Sequence, residues 1–154
     1  MTMTDYQKSI TVNKPANEVY TAITEHIADW WSDDLNGTTA HTSDQYDIAF
    51  GKTQKTFSII EAVPNKRVVW QCDKAYIDMA SLKNKAEWTG TKLIWTISAD
   101  NQDTTLNFLH EGLNQSFECY NVCEAGWDYF IGSLHAFLTT GSGTPYRKQQ
   151  ATLV

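Results

Sequence analysis

His110 is the residue whose type and position point most directly to a functional site. It lies near the end of a predicted strand, Thr104–Glu111, in which Leu106, Phe108 and His110 face the same side. If that side lines a pocket, a neutral imidazole there could act as an acid, a base or a hydrogen-bond partner for a ligand. The same pattern fits a buried histidine bonded to a carbonyl or side chain at the strand end. His110 is therefore a candidate catalytic residue with a structural alternative.

The cysteines and paired carboxylates do not form a recognisable site. Cys119 and Cys123 are four residues apart and share a helix face, but a zinc site needs about four nitrogen or sulfur ligands. The 4 histidines show no paired spacing, so we predict no metal and interpret both cysteines as small core residues. Asp33 and Asp34 are interpreted as a solvated helix end. The chain also lacks a glycine-rich phosphate loop and a nucleophile elbow, and we predict no cofactor.

The elements that must position these residues end with one long helix. It is predicted from about Phe117 to Thr140, with Gly141 as its C-terminal cap and Pro145 preventing continuation. Its apolar stripe has spacings of three and four residues and is unusually bulky: Tyr120, Cys123, Trp127, Phe130, Ile131, Leu134, Phe137 and Leu138. The stripe predicts that this helix lies against a sheet.

The preceding chain reads as one strand, two short helices and a run of strands. Tyr6–Val12 is the first strand, Pro15 suits the first turn of a helix, and 27–34 is a second short helix before an Asn36-Gly37 turn. The later strands are separated by turn signals: Tyr46–Phe50, Thr53–Val63, Arg67–Asp73, Ala86–Ser98 with a bulge at Gly90, and Thr104–Glu111. Consecutive strands with short turns indicate an antiparallel meander. We predict a single α+β domain over 1–154, with a curved sheet of about six strands around the C-terminal helix.

A pocket between helix and sheet is predicted from the phase of the inward-facing residues. Its predicted lining is Phe57, Trp70, Trp95, Phe108, His110, Trp127, Phe130, Ile131 and Leu134. The alternative is that these side chains fill a core and leave no cavity. Trp30 and Trp31 are not expected to face inward together, because adjacent helical residues diverge; one should pack and the other could line an entrance.

Charge and composition exclude several classes of function. The net charge is -6 and the lysines are scattered, so binding to nucleic acid is not expected. No segment approaches the roughly 20 apolar residues that span a bilayer. The N-terminus has no apolar signal core, and the 3 cysteines are an odd count, which favours free thiols in a cytoplasmic protein.

The order of elements and several short motifs resemble the START-like, helix-grip (SRPBCC) superfamily. The similarity is greatest to the C-terminal domain of activators of the heat-shock-chaperone ATPase. It is carried by Pro15–Tyr20, Trp30-Trp31, Glu87–Thr91, His110–Leu113, Gly126-Trp127 and Thr140–Pro145. The resemblance implies a helix-grip fold. Members of the superfamily bind lipids, hormones and polyketides, and some are cyclases or dehydratases.

We therefore predict a protein that binds a small apolar or amphipathic molecule between the long helix and the sheet, and the sequence favours a binding protein over an enzyme. The first alternative is a cyclase or dehydratase that uses His110 as its acid or base. The second is a protein-interaction module related to chaperone ATPase activators. The sequence identifies neither a ligand nor a protein partner, and both a monomer and a homodimer remain open.

Overall fold

The computed structural model describes residues 4–148 and has the α+β architecture that the sequence predicts. Seven strands and three helices follow one another along the chain: β1 (Tyr6–Val12), α1 (Ala16–Glu25), α2 (Ile27–Trp30), β2 (Leu35–Gly37), β3 (Gln45–Phe50), β4 (Thr53–Val63), β5 (Arg67–Tyr76), β6 (Lys92–Asp100), β7 (Asp103–Glu111) and α3 (Tyr120–Thr140). The predicted bounds of β1 and β4 agree with the structure.

The strands form one antiparallel sheet in the order β1-β7-β6-β5-β4-β3-β2. The first strand closes one side by pairing with β7, where Ile10 lies opposite Leu106. The sheet has one strand more than the six predicted. This additional strand is β2, at the sheet edge, where the sequence predicts a turn at Asn36-Gly37; it pairs with β3, with Asn36 opposite Asp47. From β2 to β7 each strand pairs with the next one along the chain, which makes this part of the sheet an antiparallel meander.

The prediction of one long strand from Ala86 to Ser98 is wrong in its first six residues. Residues 86–91 form turns, and β6 begins at Lys92. Gly90 has a φ of +90°, and its N–H donates to the Cys72 carbonyl at 2.7 Å. Thr91 closes the turn by donating its hydroxyl to the Trp88 carbonyl at 2.7 Å. The turn therefore places Trp88 inward, where its side chain is buried.

Helix α3 begins three residues after the predicted Phe117 and ends as predicted. Gly141 adopts a φ of +87°, and its N–H donates to the Phe137 carbonyl at 2.9 Å. This left-handed residue terminates the helix at its C-terminal cap. None of the helices within residues 4–148 is both long enough and apolar enough to cross a membrane.

The core between α3 and the sheet is built largely from aromatic rings. Trp127 of α3 lies 4.4 Å from Phe108 of β7, and Phe108 lies 4.3 Å from Trp95 of β6, measured between ring centroids. Trp30 and Trp31 are both buried and stack at 5.8 Å, contrary to the prediction that they would diverge. The expectation that only one of them faces inward is wrong, because α2 ends at Trp30 and Trp31 is its cap residue, so the two are not neighbours within a continuous helix.

Candidate ligand-binding groove

A groove of about 320 Å³ opens beside the N-terminal half of α3. It lies between that helix, the start of β4 and the segment that connects β5 to β6. Most of its walls are apolar, and they are formed by Trp31, Phe50, Thr53, Lys55, Ile77, Met79, Trp88, Val122, Cys123, Gly126, Trp127, Phe130 and Tyr146. This groove has the volume and largely apolar lining of a small-molecule site.

Two of the predicted pocket residues, Trp127 and Phe130, line this groove. The other predicted residues lie outside its walls, in the core where α3 meets the sheet: Phe57, Trp70, Trp95, Phe108, His110, Ile131 and Leu134. All of them are at most 2% exposed. Their side chains meet one another there, as the ring contacts of Trp70 with Phe57 (6.1 Å) and Trp95 (5.3 Å) illustrate.

His110 is buried with a partner at each ring nitrogen. The Trp127 indole N–H donates to His110 Nδ1 at 3.0 Å, so that nitrogen is unprotonated. In the neutral imidazole, Nε2 then carries the proton and donates to Thr91 Oγ1 at 2.9 Å. The Thr91 hydroxyl in turn donates a hydrogen bond to the Trp88 carbonyl. The chain of hydrogen bonds joins α3, β7 and the turn before β6.

The environment of His110 holds the imidazole in its neutral form. Burial lowers the pKa of His110 to about 3, and the nearby positive charge of Lys55 contributes to the decrease. The edge of the Trp88 ring also covers it, at 4.5 Å between centroids. A neutral imidazole with both nitrogens engaged is suited to holding three elements together.

Lys55 is the charged residue of the groove, and the sequence analysis missed it. Its side chain points inward from β4 on the same face as Phe57 and Ile59, and it is only 9% exposed. The ammonium nitrogen lies 3.6 Å from the centroid of the Trp88 ring and 5.2 Å from that of Phe50. A lysine in phase with apolar neighbours on an inward strand face was the sequence signal for it.

The charge of Lys55 is stabilised mainly by aromatic faces. Within residues 4–148, Lys55 forms no ion pair with an aspartate or glutamate. Burial lowers the pKa of Lys55 to about 8, partly opposed by its interactions with Cys123, Cys72 and Cys119. Contact with the Trp88 ring is a favourable cation–π interaction.

Cys123 places a thiol in the groove beside Trp88. The Trp88 indole N–H donates to Cys123 Sγ at 3.3 Å. The neighbouring Cys119 thiol, the Trp88 indole N–H and the charge of Lys55 lower the pKa of the Cys123 thiol. The pKa of the Cys119 thiol is raised in turn. Both cysteines are buried and free of disulfide bonds.

The antiparallel sheet that grips one long C-terminal helix defines a START-like, helix-grip protein, as the sequence predicts. Residues 13–139 match the model of the family described as Activator of Hsp90 ATPase homolog 1-like protein. The match covers most of the chain, and the chain belongs to this family. A comparison with curated proteins finds no match.

Solved structures with the same fold come from several sources. The solution structure of the Aha1 dimer from Colwellia psychrerythraea has a TM-score of 0.73 at 22% identity, covering 93% of this chain and 100% of that one. DynU16, from the dynemicin biosynthetic locus, has a TM-score of 0.67 at 20% identity, and the match covers 93% of this chain and 50% of DynU16. A protein from Mesorhizobium loti has a TM-score of 0.66 at 14% identity and covers 86% and 96%. At these identities the similarity shows the fold.

Proposed function

We propose that this protein binds a small apolar or amphipathic molecule in the groove beside the N-terminal half of α3. The observation that carries the proposal is the groove itself, with about 320 Å³ of space against mainly apolar walls. Small-molecule sites commonly combine such walls with very few polar groups. Here the polar groups of the lining include the Lys55 ammonium and the Cys123 thiol.

The aromatic walls supply a large contact area for an apolar ligand. Trp88 and Trp127 stack with their planes 11° apart and their centroids 5.8 Å apart, and Phe130 lies further along the same helix. Hydrogen bonds hold both tryptophans, from Trp88 to Cys123 and from Trp127 to His110. A ligand that enters the groove therefore meets side chains already fixed in position, which reduces the entropy cost of binding.

The geometry does not favour the alternative of an acid–base enzyme that uses His110. Its two ring nitrogens are occupied by Trp127 and Thr91, and the side chain is fully buried. A general acid or base must come within hydrogen-bond reach of its substrate. A substrate in the groove would contact Trp127 before it could reach the imidazole.

Two glycines of α3 offer a matched test of the binding site. Gly126 lines the groove and Gly132 lies outside its lining, and a Cβ added at either position meets no atom within 4 Å. We expect Gly126→Leu to fill the groove and weaken binding of an apolar fluorescent dye at least tenfold. Gly132→Leu should bind as the wild type does. Both substitutions improve helix propensity, so both variants should keep or slightly increase their thermal stability.

Dye titration, followed by dye emission and by quenching of tryptophan emission, distinguishes the possibilities. Equal binding to both variants would show that the dye occupies another part of the surface. If the wild type binds no apolar probe, the ligand-binding proposal fails. A protein-interaction role then becomes the better explanation of this fold, in line with the third class of function that the sequence left open.

A further inference from the structure

Lys55 brings a positive charge into a groove whose walls are otherwise mostly apolar. It is the one lysine or arginine among the residues of that lining, and none of them is an aspartate or glutamate. Its side chain is more than nine-tenths buried. A charge removed from water is unfavourable unless it is paired and hydrogen-bonded. The rings of Trp88 and Phe50 face the ammonium. The ammonium has three N–H donors, and the face of an aromatic ring is not a conventional hydrogen-bond acceptor for them.

We propose that the groove takes an amphipathic carboxylate, whose carboxylate group pairs with the Lys55 ammonium while its apolar part lies against Trp88, Trp127 and Phe130. This inference rests on the binding function proposed above and names the chemical class of the ligand. A single ammonium is neutralised by a single negative charge, which favours a carboxylate over a phosphate carrying nearly two charges. Charged hydrogen bonds of this kind are also stronger than neutral ones.

The Cys123 thiol is the internal alternative as a partner for Lys55. Trp88 donates a hydrogen bond to its sulfur, and the neighbouring Cys119 thiol and the Trp88 N–H lower the pKa of the Cys123 thiol, which favours the thiolate form. If the thiolate already neutralises the lysine, a second anion in the groove gains little binding free energy from Lys55. An unpaired Lys55 therefore predicts tighter binding of a charged ligand than of a neutral ligand of the same shape, whereas a Lys55 already neutralised by the thiolate predicts no such preference.

Octanoate and octan-1-ol are suitable probes, because they share a chain length and differ in charge. At pH 7 we expect the wild type to bind octanoate at least about tenfold more tightly than octan-1-ol, measured by calorimetry or by competition with the dye. Lys55→Met should weaken octanoate binding by about 10- to 100-fold, the range for a charged hydrogen bond, and leave octan-1-ol within about threefold. Lys55→Arg should restore most of the octanoate preference.

Lys66→Met is the matched control, since it removes the same charge from an exposed turn at the far end of β4. It should leave both affinities unchanged. Equal binding of octanoate and octan-1-ol to the wild type would overturn the carboxylate assignment and leave the binding function standing. Binding of neither probe, nor of the apolar dye, would instead refute the binding function. The comparison within the wild type is informative even if a Lys55 variant fails to fold.

Discussion

At the scale of single residues, two buried tyrosines differ in whether their hydroxyl groups are hydrogen-bonded. The Tyr6 hydroxyl donates to Asp128 at 2.7 Å, and burial together with this bond raises the pKa of Tyr6. The Tyr46 hydroxyl is buried and has no partner among residues 4–148. An unpaired buried polar group costs free energy, whereas a bond to a charged acceptor contributes about 1.5–3 kcal/mol.

We therefore expect opposite effects from the same substitution at these two sites. Tyr46→Phe should leave the free energy of unfolding unchanged or raise it by about 1 kcal/mol, and Tyr6→Phe should lower it by about 1–2 kcal/mol. Urea denaturation of both variants at pH 7 measures the difference. A large loss of stability in Tyr46→Phe would show that its hydroxyl has a partner in solution.

His110 also makes a specific prediction for the dependence of stability on pH. Its pKa is about 3 in the folded protein and about 6.5 in an unfolded chain, so the unfolded state binds the proton first. The stabilising contribution is complete above about pH 6.5 and is lost as the pH falls from there towards 3. The loss should be roughly 1.4 kcal/mol per pH unit, or about 2 kcal/mol between pH 6.5 and 5.

The His110→Gln variant provides the comparison. It should be less stable than the wild type at pH 7, and its stability should fall by about 2 kcal/mol less between pH 6.5 and 5, as measured by urea unfolding. The exposed histidines are present in both proteins and cancel in the difference. Parallel stability curves for the two proteins would contradict a buried, neutral His110.

At the scale of elements, local sequence signals predicted those boundaries that local chemistry sets. The bounds of β4 at Thr53 and Val63 and the end of α3 before Gly141 agree with the prediction. The turn at residues 86–91 is predicted as part of the strand, with Gly90 as a bulge. Its conformation depends on Gly90 bonding to the distant Cys72 carbonyl, which no local pattern reveals.

The candidate groove was harder to predict than the fold for a related reason. Phase along a strand or helix identifies which side chains face inward, as it did for Trp95 and Trp127. It does not show whether opposing side chains meet, and most of the predicted pocket residues do meet in the core. Lys55 is not predicted from the sequence, because inward-facing positions of a strand are normally apolar and a lysine there is an exception. Such exceptions often occur at functional sites.

At the scale of the whole molecule, the fold divides the space beneath α3 into two regions. The middle of the helix packs on a dense aromatic core that includes Trp70 and Trp95. The groove lies towards the helix N-terminus, between α3 and the segment that carries Trp88. A packed core supports the helix, and a groove beside it can then bind a ligand without unfolding that core.

The tryptophan indole N–H signals provide the most direct measurement of this division, because the 6 tryptophans are distributed between the two regions. Titration of the labelled protein with octanoate, or with the dye, should be followed by ¹H–¹⁵N NMR. We expect the signals of Trp88 and Trp127 to shift strongly and those of Trp70 and Trp95 to remain nearly unchanged. Shifts centred on Trp70 and Trp95, or no shifts at saturating probe, would contradict a ligand site in the groove.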